Sequence, residues 1–351
     1  MSKPNIICGI DIGNSSIKTV IAERPLVGAP PRIIGVGATA SLGMRRGSVS
    51  DMEETIRNIG DSVHLAQTMA GIKITQAYVA LNGPHMKSQI SHGVVAVARP
   101  DNEISHGDVA RVTEAASTIN VPPNYEIVHV LPRNFIIDSQ EHVKNAIGMK
   151  GVRLEADVLL IKGLSQHMRN LAKCVNTHAI EIEDFVYGPL AAECSVLNKQ
   201  QKEHGVLLID IGGSITTLSI FHEGDLIYTT VLPFGSWHVT SDLAIAFRTS
   251  VDKAEVVKRL HGQVGSDTAH KKEKDNIDLS EILEEDGFIV PRKQISKIIE
   301  ARTGELLEMI AEELKKVHSP SLLAAGVVLT GGGANLPGIV QLAKNILKLS
   351  V

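Results

Sequence analysis

Aromatic side chains are scarce: one Trp, four Tyr and six Phe make up 3% of 351 residues. An extended base-stacking surface is therefore not expected. Nor is there an excess of basic charge. Lys and Arg total 35 against 39 Asp and Glu, a net charge of −4. Without a basic face, nucleic acid is not an expected partner. Cysteine is rare and odd in number: Cys8, Cys174 and Cys194 lie far apart in apolar stretches, with no Cys-x-x-Cys. The 14 histidines are scattered too. These patterns exclude a disulfide framework and a zinc site, and predict buried thiols in a reducing cytosol. No stretch approaches the roughly 18 apolar residues of a membrane span. The opening residues lack a signal-peptide layout. The expectation is a cytoplasmic chain that does not cross a bilayer.

What is present is an ordinary soluble composition, 43% apolar and 21% charged, on a chain long enough to need two or more lobes. Residues 5–12, 16–22 and 32–40 read as strands. An amphipathic helix follows, with Ser50 and Glu53 as its capping box and Gly71 past its end. Residues 76–81 are another strand. The texture then changes. From 83 to about 162, short alternating strands (GVVAVA, EIVHVL, FIIDS, EADVLLI) surround a helix near 107–118 capped by Ser105, which predicts an inserted unit of about eighty residues. After Gly205 the opening pattern returns as strand, turn, strand. Helices are expected near 236–247 and 252–260, a solvated charged segment at 270–287, and a long helix started by Pro291. A buried strand, three glycines and a helix at 335 close the chain.

The repeat carries the chemistry. Asp11-Ile-Gly13-Asn14-Ser15 and Asp210-Ile-Gly212-Gly213-Ser214 each put an acid at the end of an apolar strand, just before a glycine turn. The glycines free the backbone to form a nest of N–H groups for phosphate oxygens. The acids are suited to hold the waters of a magnesium ion. Lys18 is spaced to reach a phosphate, and Ser15 and Ser16 add hydroxyl donors. One such turn is an ordinary hairpin. Two, each heading an αβ half, predict a duplicated fold with a nucleotide in the cleft between halves. Thr330-Gly331-Gly332-Gly333, leading into a helix, suits anion or nucleoside contact.

Three such motifs in this order resemble the actin-like ATPase superfamily, whose members include actin, sugar kinases, chaperone ATPases and bacterial cytoskeletal ATPases. Within it, residues 81–112, 126–161 and 239–247 are similar to the FtsA family of bacterial division proteins. The resemblance implies an α/β, actin-like duplicated (ribonuclease H-like) fold of two lobes. Subdomain 1A would be 1–82 and 163–204, the inserted 1C 83–162, 2A 205–244 and 291–351, and 2B 245–290. It implies that ATP and Mg2+ are bound. Gly13, Asn14, Ser15, Ser16 and Lys18 match the first phosphate motif, and Gly212, Gly213 and Ser214 the second. Asp11 and Asp210 match the magnesium-side acids, and Gly331, Gly332 and Gly333 the adenosine motif. Glu255 and Lys258 match a helix that contacts ribose or adenine in relatives; read locally, Glu255 caps that helix from Asp252 and Lys258 is solvated. Thr240 and Asp242 lie in a stretch near the nucleoside, where a cap or turn role is expected.

Departures from the pattern bear on catalysis. Ser214 stands where the family's second motif has a third glycine, and a positive φ would be costly for it. Thr217 replaces that motif's terminal acid. Gly188 aligns with a catalytic glutamate of chaperone relatives, and Glu193 reads as a helix-face residue. With no group to orient the attacking water, ATP is expected to be bound but hydrolysed slowly.

The implied partners are the tail peptide of the tubulin-like FtsZ on 2B, with Arg248, Lys253 and Arg259 as basic candidates, further copies of the chain in filaments, and other division proteins on 1C. Membrane attachment at the division site is expected only through a C-terminal tail beyond residue 351. VQLAKNILKLSV is expected to be a packed domain helix. Two other readings stand beside this one: a PilM-like pilus-assembly ATPase, and a small-molecule kinase, for which Asp138 is the nearest base.

Overall fold

The computed structural model describes residues 5–24, 30–265, 276–285, 287–317 and 320–351. The chain divides into two compact units. One comprises Met1–Met44, Ser48–Ala191 and Asp225–Thr230; the other Arg45–Gly47, Ala192–Gly224 and Val231–Val351.

In the first unit, β1 (Asn5–Ile12), β2 (Ser16–Arg24) and β3 (Arg32–Ala40) form an antiparallel meander. A short pair, β4 (Met44–Arg45) and β5 (Ser48–Val49), precedes α1 (Met52–Ala70), and β6 (Gln76–Leu81) then joins β1 in parallel. The helix begins one residue later than the Ser50 capping box predicts. Asp51 is the N-cap, accepting the Glu54 N–H at 3.0 Å, because the Ser50 hydroxyl is spent on Gly43 O. Gly71 closes the helix at φ 69°. The helix lies so close on β3 that a Cβ at Gly37 would come 1.9 Å from Ser62 O. A larger residue there would drive the layers apart.

The inserted stretch builds its own sheet from β7 (Lys87–Ala96), β8 (Tyr125–Ile137), β9 (Gln140–Val143) and β10 (Arg153–Leu164), in the order β7-β10-β8-β9. Helix α2 (His106–Ser117) covers it over Val112, Ala116, Phe135, Leu154, Val158 and Leu160. Its N-cap is Ser105, in a full capping box with Asp108. EIVHVL and FIIDS, expected as two strands, are one. Proline has no N–H to give, so the ladder slips at Pro132, which faces Val158 while Asn134 faces Asp157. After α3 (Ser165–Asn176), β11 (Glu181–Tyr187) completes the sheet β11-β6-β1-β2-β3. α4 (Gly188–Val196) and α5 (Lys199–His204) follow, the second capped by Asn198.

Next in the chain come β12 (Val206–Ile211), β13 (Thr216–His222), β14 (Asp225–Leu232), α6 (Ser236–Ala246) and α7 (Val251–His261); Asp225–Thr230 of β14 count with the first unit and the other elements with the second. Then come β15 (Asn276–Asp278), α8 (Ser280–Leu283), β16 (Ile289–Pro291), α9 (Arg292–Lys315), β17 (Val327–Thr330) and α10 (Ile339–Leu347). The sheet order is β14-β13-β12-β17. β12 is a continuous apolar run because Val206–Ile209 are all buried. On α9, Ile295, Ile299, Leu306 and Ile310 are buried and Ile298 and Leu314 half-buried; Val317, two residues past the helix, is half-buried too. Helix α10, which holds most of the closing VQLAKNILKLSV, packs on α9 and buries Ile339 and Ala343. Of the charged segment 270–287, residues 270–275 and 286 lie outside the described residues; the remainder holds β15 and α8.

Candidate functional site

Two hairpin turns carry the duplicated motif in the same geometry. In the first unit Asp11 faces Lys18, Ile12 faces Ile17, and Gly13 N–H closes the turn on Ser16 O at 3.1 Å. In the second, Asp210 faces Thr217, Ile211 faces Thr216, and Gly212 N–H closes on Ile215 O at 3.0 Å. Neither Gly13 nor Gly212 uses a positive φ, so the nest expected from glycine's freedom is not formed there. What glycine supplies is room. A Cβ would sit 2.7 Å from Ser16 O in one turn and 2.9 Å from Ile215 O in the other. Ser214 also has an ordinary φ, which removes the cost expected of its Cβ; its hydroxyl accepts the Arg46 N–H at 3.2 Å.

Around the first turn, Ser15 is exposed, Asn14 and Ser16 are half-buried, and Ser15 O accepts the Ser41 N–H at 3.2 Å. The Lys18 ammonium lies 3.9 Å from the Asp11 carboxylate, with 58% of its side chain exposed. Burial raises the Asp11 pKa, and the Lys18 charge opposes that. The result is a half-exposed acid beside an accessible cation.

In the second unit the glycine run comes against the acid. β12 and β17 are parallel, with Asp210 beside Thr330. Gly331, at φ 84°, approaches so closely that a Cβ would lie 2.3 Å from Asp210 Oδ1; at Gly333 it would lie 2.3 Å from Ile211 Cγ2. Gly332 is exposed. The helix expected at 335 is absent. Gly332–Asn335 form a single 3-10 turn, and α10 starts at Ile339 with Gly338 as N-cap. Pro337 is the cause: it holds Leu336 extended (ψ 119°) and interrupts any helix running through it. No helix N-terminus therefore stands at the glycines.

Helices α6, α7 and α9 supply the side chains. Thr240, Glu255 and Lys258 form a closed triad: Thr240 Oγ1 donates to Glu255 Oε2 at 2.6 Å, and Lys258 Nζ reaches Thr240 Oγ1 at 2.7 Å and Glu255 Oε2 at 2.6 Å. The helix cap expected of Glu255 with Asp252 is instead made by Ser250 to the Lys253 N–H. Thr240 is buried within α6, not in a turn, and Lys258 is only 13% exposed, not solvated. Asp242 receives a fork from Arg302, Nε to Oδ2 at 2.6 Å and an Nη to Oδ1 at 3.0 Å. The same guanidinium lies over the Phe234 ring, which stacks on His238. Arg302, Phe234 and Gly235 had no signal in the sequence; Arg302 is sixty positions from its partner.

Residues 207–351 match the family model described as cell division protein FtsA, and residues 83–162 the model described as SHS2 domain inserted in FTSA. The cell division protein FtsA of Bacillus subtilis is 38% identical over all of this chain and 79% of its own length. That of Pseudomonas aeruginosa is 34% identical over 99% of this chain and 82% of its own. The chain belongs to the FtsA family. Solved structures share the actin-like ATPase fold at low identity. The PilM-PilN type IV pilus biogenesis complex superposes with a TM-score of 0.64 at 17% identity, over 97% of this chain and 86% of that one. MreB 5 of Spiroplasma citri bound to AMPPNP gives 0.57 at 14%, over 98% and 90%.

Other positions in this FtsA-family chain are accounted for structurally. A Cβ on Gly188 would meet Asn82 Oδ1 at 2.1 Å, so a glutamate cannot sit there unless Asn82 moves. Glu193 is paired with Lys202 at 2.5 Å and mostly buried. Thr217 is buried. Asp138, in the β8–β9 turn, accepts the Val152 and Arg153 N–H groups at the start of β10. Beside α7, a groove of about 590 Å³ is lined by Asp252, Lys253, Val256, Leu260, His261, Asp278, Glu281 and Ile282. Lys253 there is engaged by Leu283 O and Glu284, while Arg248 and Arg259 are exposed. Among the described residues, no helix is long and apolar enough to cross a membrane.

Proposed function

We propose that this FtsA-family chain is an ATP-binding adaptor of the division machinery that hydrolyses its nucleotide slowly. The observation that carries the reading is the repeated turn, with an acid at the same step of each hairpin. In this reading Gly13, Asn14, Ser15, Ser16 and Lys18 hold phosphate, as do Gly212, Gly213 and Ser214. Asp11 and Asp210 hold magnesium through its water shell, the mode that ion favours. Gly331, Gly332 and Gly333, with Glu255 and Lys258, take the adenosine. When bound, the ion would neutralise phosphate charge. The chain's own contribution is to hold the phosphates and orient the nucleoside. Slow turnover follows from Thr217 and Gly188, which leave no carboxylate at the positions discussed to orient an attacking water.

The subdomain boundaries given above belong to the same proposal. The groove beside α7 suits an extended peptide with apolar anchors, and in this reading takes the FtsZ tail; Val256 and Leu260 are its exposed apolar contacts. Self-association into filaments, other division proteins on 1C and a tail on the membrane complete it. Titration of the full chain with Mg-ATP tests the core. No heat at millimolar nucleotide would end the nucleotide reading. Binding to an FtsZ tail peptide, with a pilus N-terminal peptide as the competing probe, tests the partner. Stronger binding to the pilus peptide would favour the PilM-like alternative.

A further inference from the structure

The first turn of α6 stands behind the second glycine turn. Ser236 N–H donates to Gly212 O at 2.9 Å, and Trp237 N–H to Gly213 O at 2.7 Å. A trans peptide is planar, with its N–H opposite its C=O. Drawing the Gly212 and Gly213 carbonyls towards α6 therefore turns the N–H groups of Gly213 and Ser214 away from it. Among the described residues neither N–H has an acceptor.

Gly235 makes this contact possible. It is extended (φ −160°), and a Cβ on it would lie 2.6 Å from both Gly212 O and Gly213 O. The support is fixed from two sides. Thr216 Oγ1 donates to Phe234 O at 2.8 Å, tying the loop to β13, and the Arg302 fork on Asp242 ties α6 to α9.

We infer that Gly235 and the first turn of α6 form a positioning device, which aims the N–H groups of Gly213 and Ser214 at an anionic group of the ligand and so selects phosphorylated ligands over unphosphorylated ones. The inference rests on the nucleotide reading above. The first turn of α6 spends its own donors on the glycine carbonyls, so the anion is met by the turn and not by the helix end. Two preset N–H donors on one oxyanion form charge-assisted bonds.

Ser236→Pro tests this in the full chain. Proline suits the first helical position, and extended Gly235 suits the residue before it; the variant deletes one orienting N–H and keeps the Ser236 carbonyl. Binding of Mg-ATP, tripolyphosphate and adenosine is measured by calorimetry. The expected result is a loss of about tenfold or more for ATP and tripolyphosphate, with adenosine within about twofold of the parent. ATP affinity unchanged, or an equal loss for adenosine, overturns the inference. A parent that binds tripolyphosphate but not Mg-ATP refutes the nucleotide reading, and the tripolyphosphate arm still scores the positioning. A parent that binds none of the three refutes both. Should the proline variant fail to fold, Gly235→Ala, which crowds the same carbonyls, carries the comparison with the same expected pattern.

Discussion

Asp11 stands directly opposite Lys18 across the first hairpin, with the ammonium 3.9 Å from the carboxylate. At the same step of the second hairpin Asp210 faces a threonine, Thr217. The two turns are alike in backbone and unlike in charge: the first brings a cation, the second does not. An exposed pair of this kind contributes about 0–1 kcal/mol to folding. Lys18→Ala should therefore leave the urea midpoint almost unmoved, yet weaken ATP about tenfold while sparing adenosine. Calorimetry and unfolding on the same preparation separate the two effects.

Gly188 is where a catalytic glutamate would be restored by design. The Asn82 side chain occupies that space. Gly188→Glu should destabilise the first unit by about 1–3 kcal/mol through overpacking. It should not accelerate ATP hydrolysis. Adding Asn82→Ala should recover most of the stability, which denaturant unfolding of the single and double variants would show.

Asp108 anchors the inserted sheet's helix. Its buried carboxylate accepts Ser105 N–H and O–H, Ala98 N–H and the Arg111 guanidinium. The two Ser105 hydrogen bonds are the largest cause holding its pKa far below the usual carboxylate range. The stabilisation is complete above the unfolded pKa near 4 and is lost as pH falls through the lowered folded value. Asp108→Ala, which leaves several donors unpaired, should cost about 2–4 kcal/mol at neutral pH. It should also flatten the acid limb of the unfolding profile. Hydrogen exchange across His106–Ser117 would locate the loss.

Three histidines, at the entry to, in the interior of and at the exit from the inserted stretch, have pKa values lowered by burial. His85 stacks on His167 with ring centres 4.4 Å apart, and both its ring nitrogens are buried without a partner. His129 Nε2 accepts the Tyr187 N–H at 2.9 Å, which a protonated ring could not do. Burial lowers all three pKa values, that of His85 to about 4, with His167 adding to the effect there; Asp184 opposes it at His129. Protons bind the unfolded chain first. Stability is thus full above about pH 6.5 and falls as pH drops towards 4. His85→Phe, which keeps an apolar ring in the stack, should reduce that dependence between pH 7 and 5, as read by urea midpoints at each pH.

Much of the fold was legible because it is written in short-range patterns. Alternating apolar residues, a serine three positions before Asp108 and glycine after Ala70 each act within one or two turns of chain. The errors came where neighbours competed for one role. Ser50 and Asp51 could both cap α1, and the Gly43 carbonyl took the serine. Glycine after Thr330 could open a helix, and Pro337 delayed it. Pro132 looked like a break between strands, and the sheet absorbed it as a bulge.

The sequence alone determined the duplicated acid-and-glycine turns, the inserted module and the apolar strands beneath them, since each depends on spacing along the backbone. Only the tertiary structure decided that Gly331 lies on Asp210, that Arg302 grips Asp242, and that Gly235 lets α6 hold the second turn from behind. Those meetings depend on strand register and helix packing between residues up to 121 positions apart, and no local periodicity encodes them.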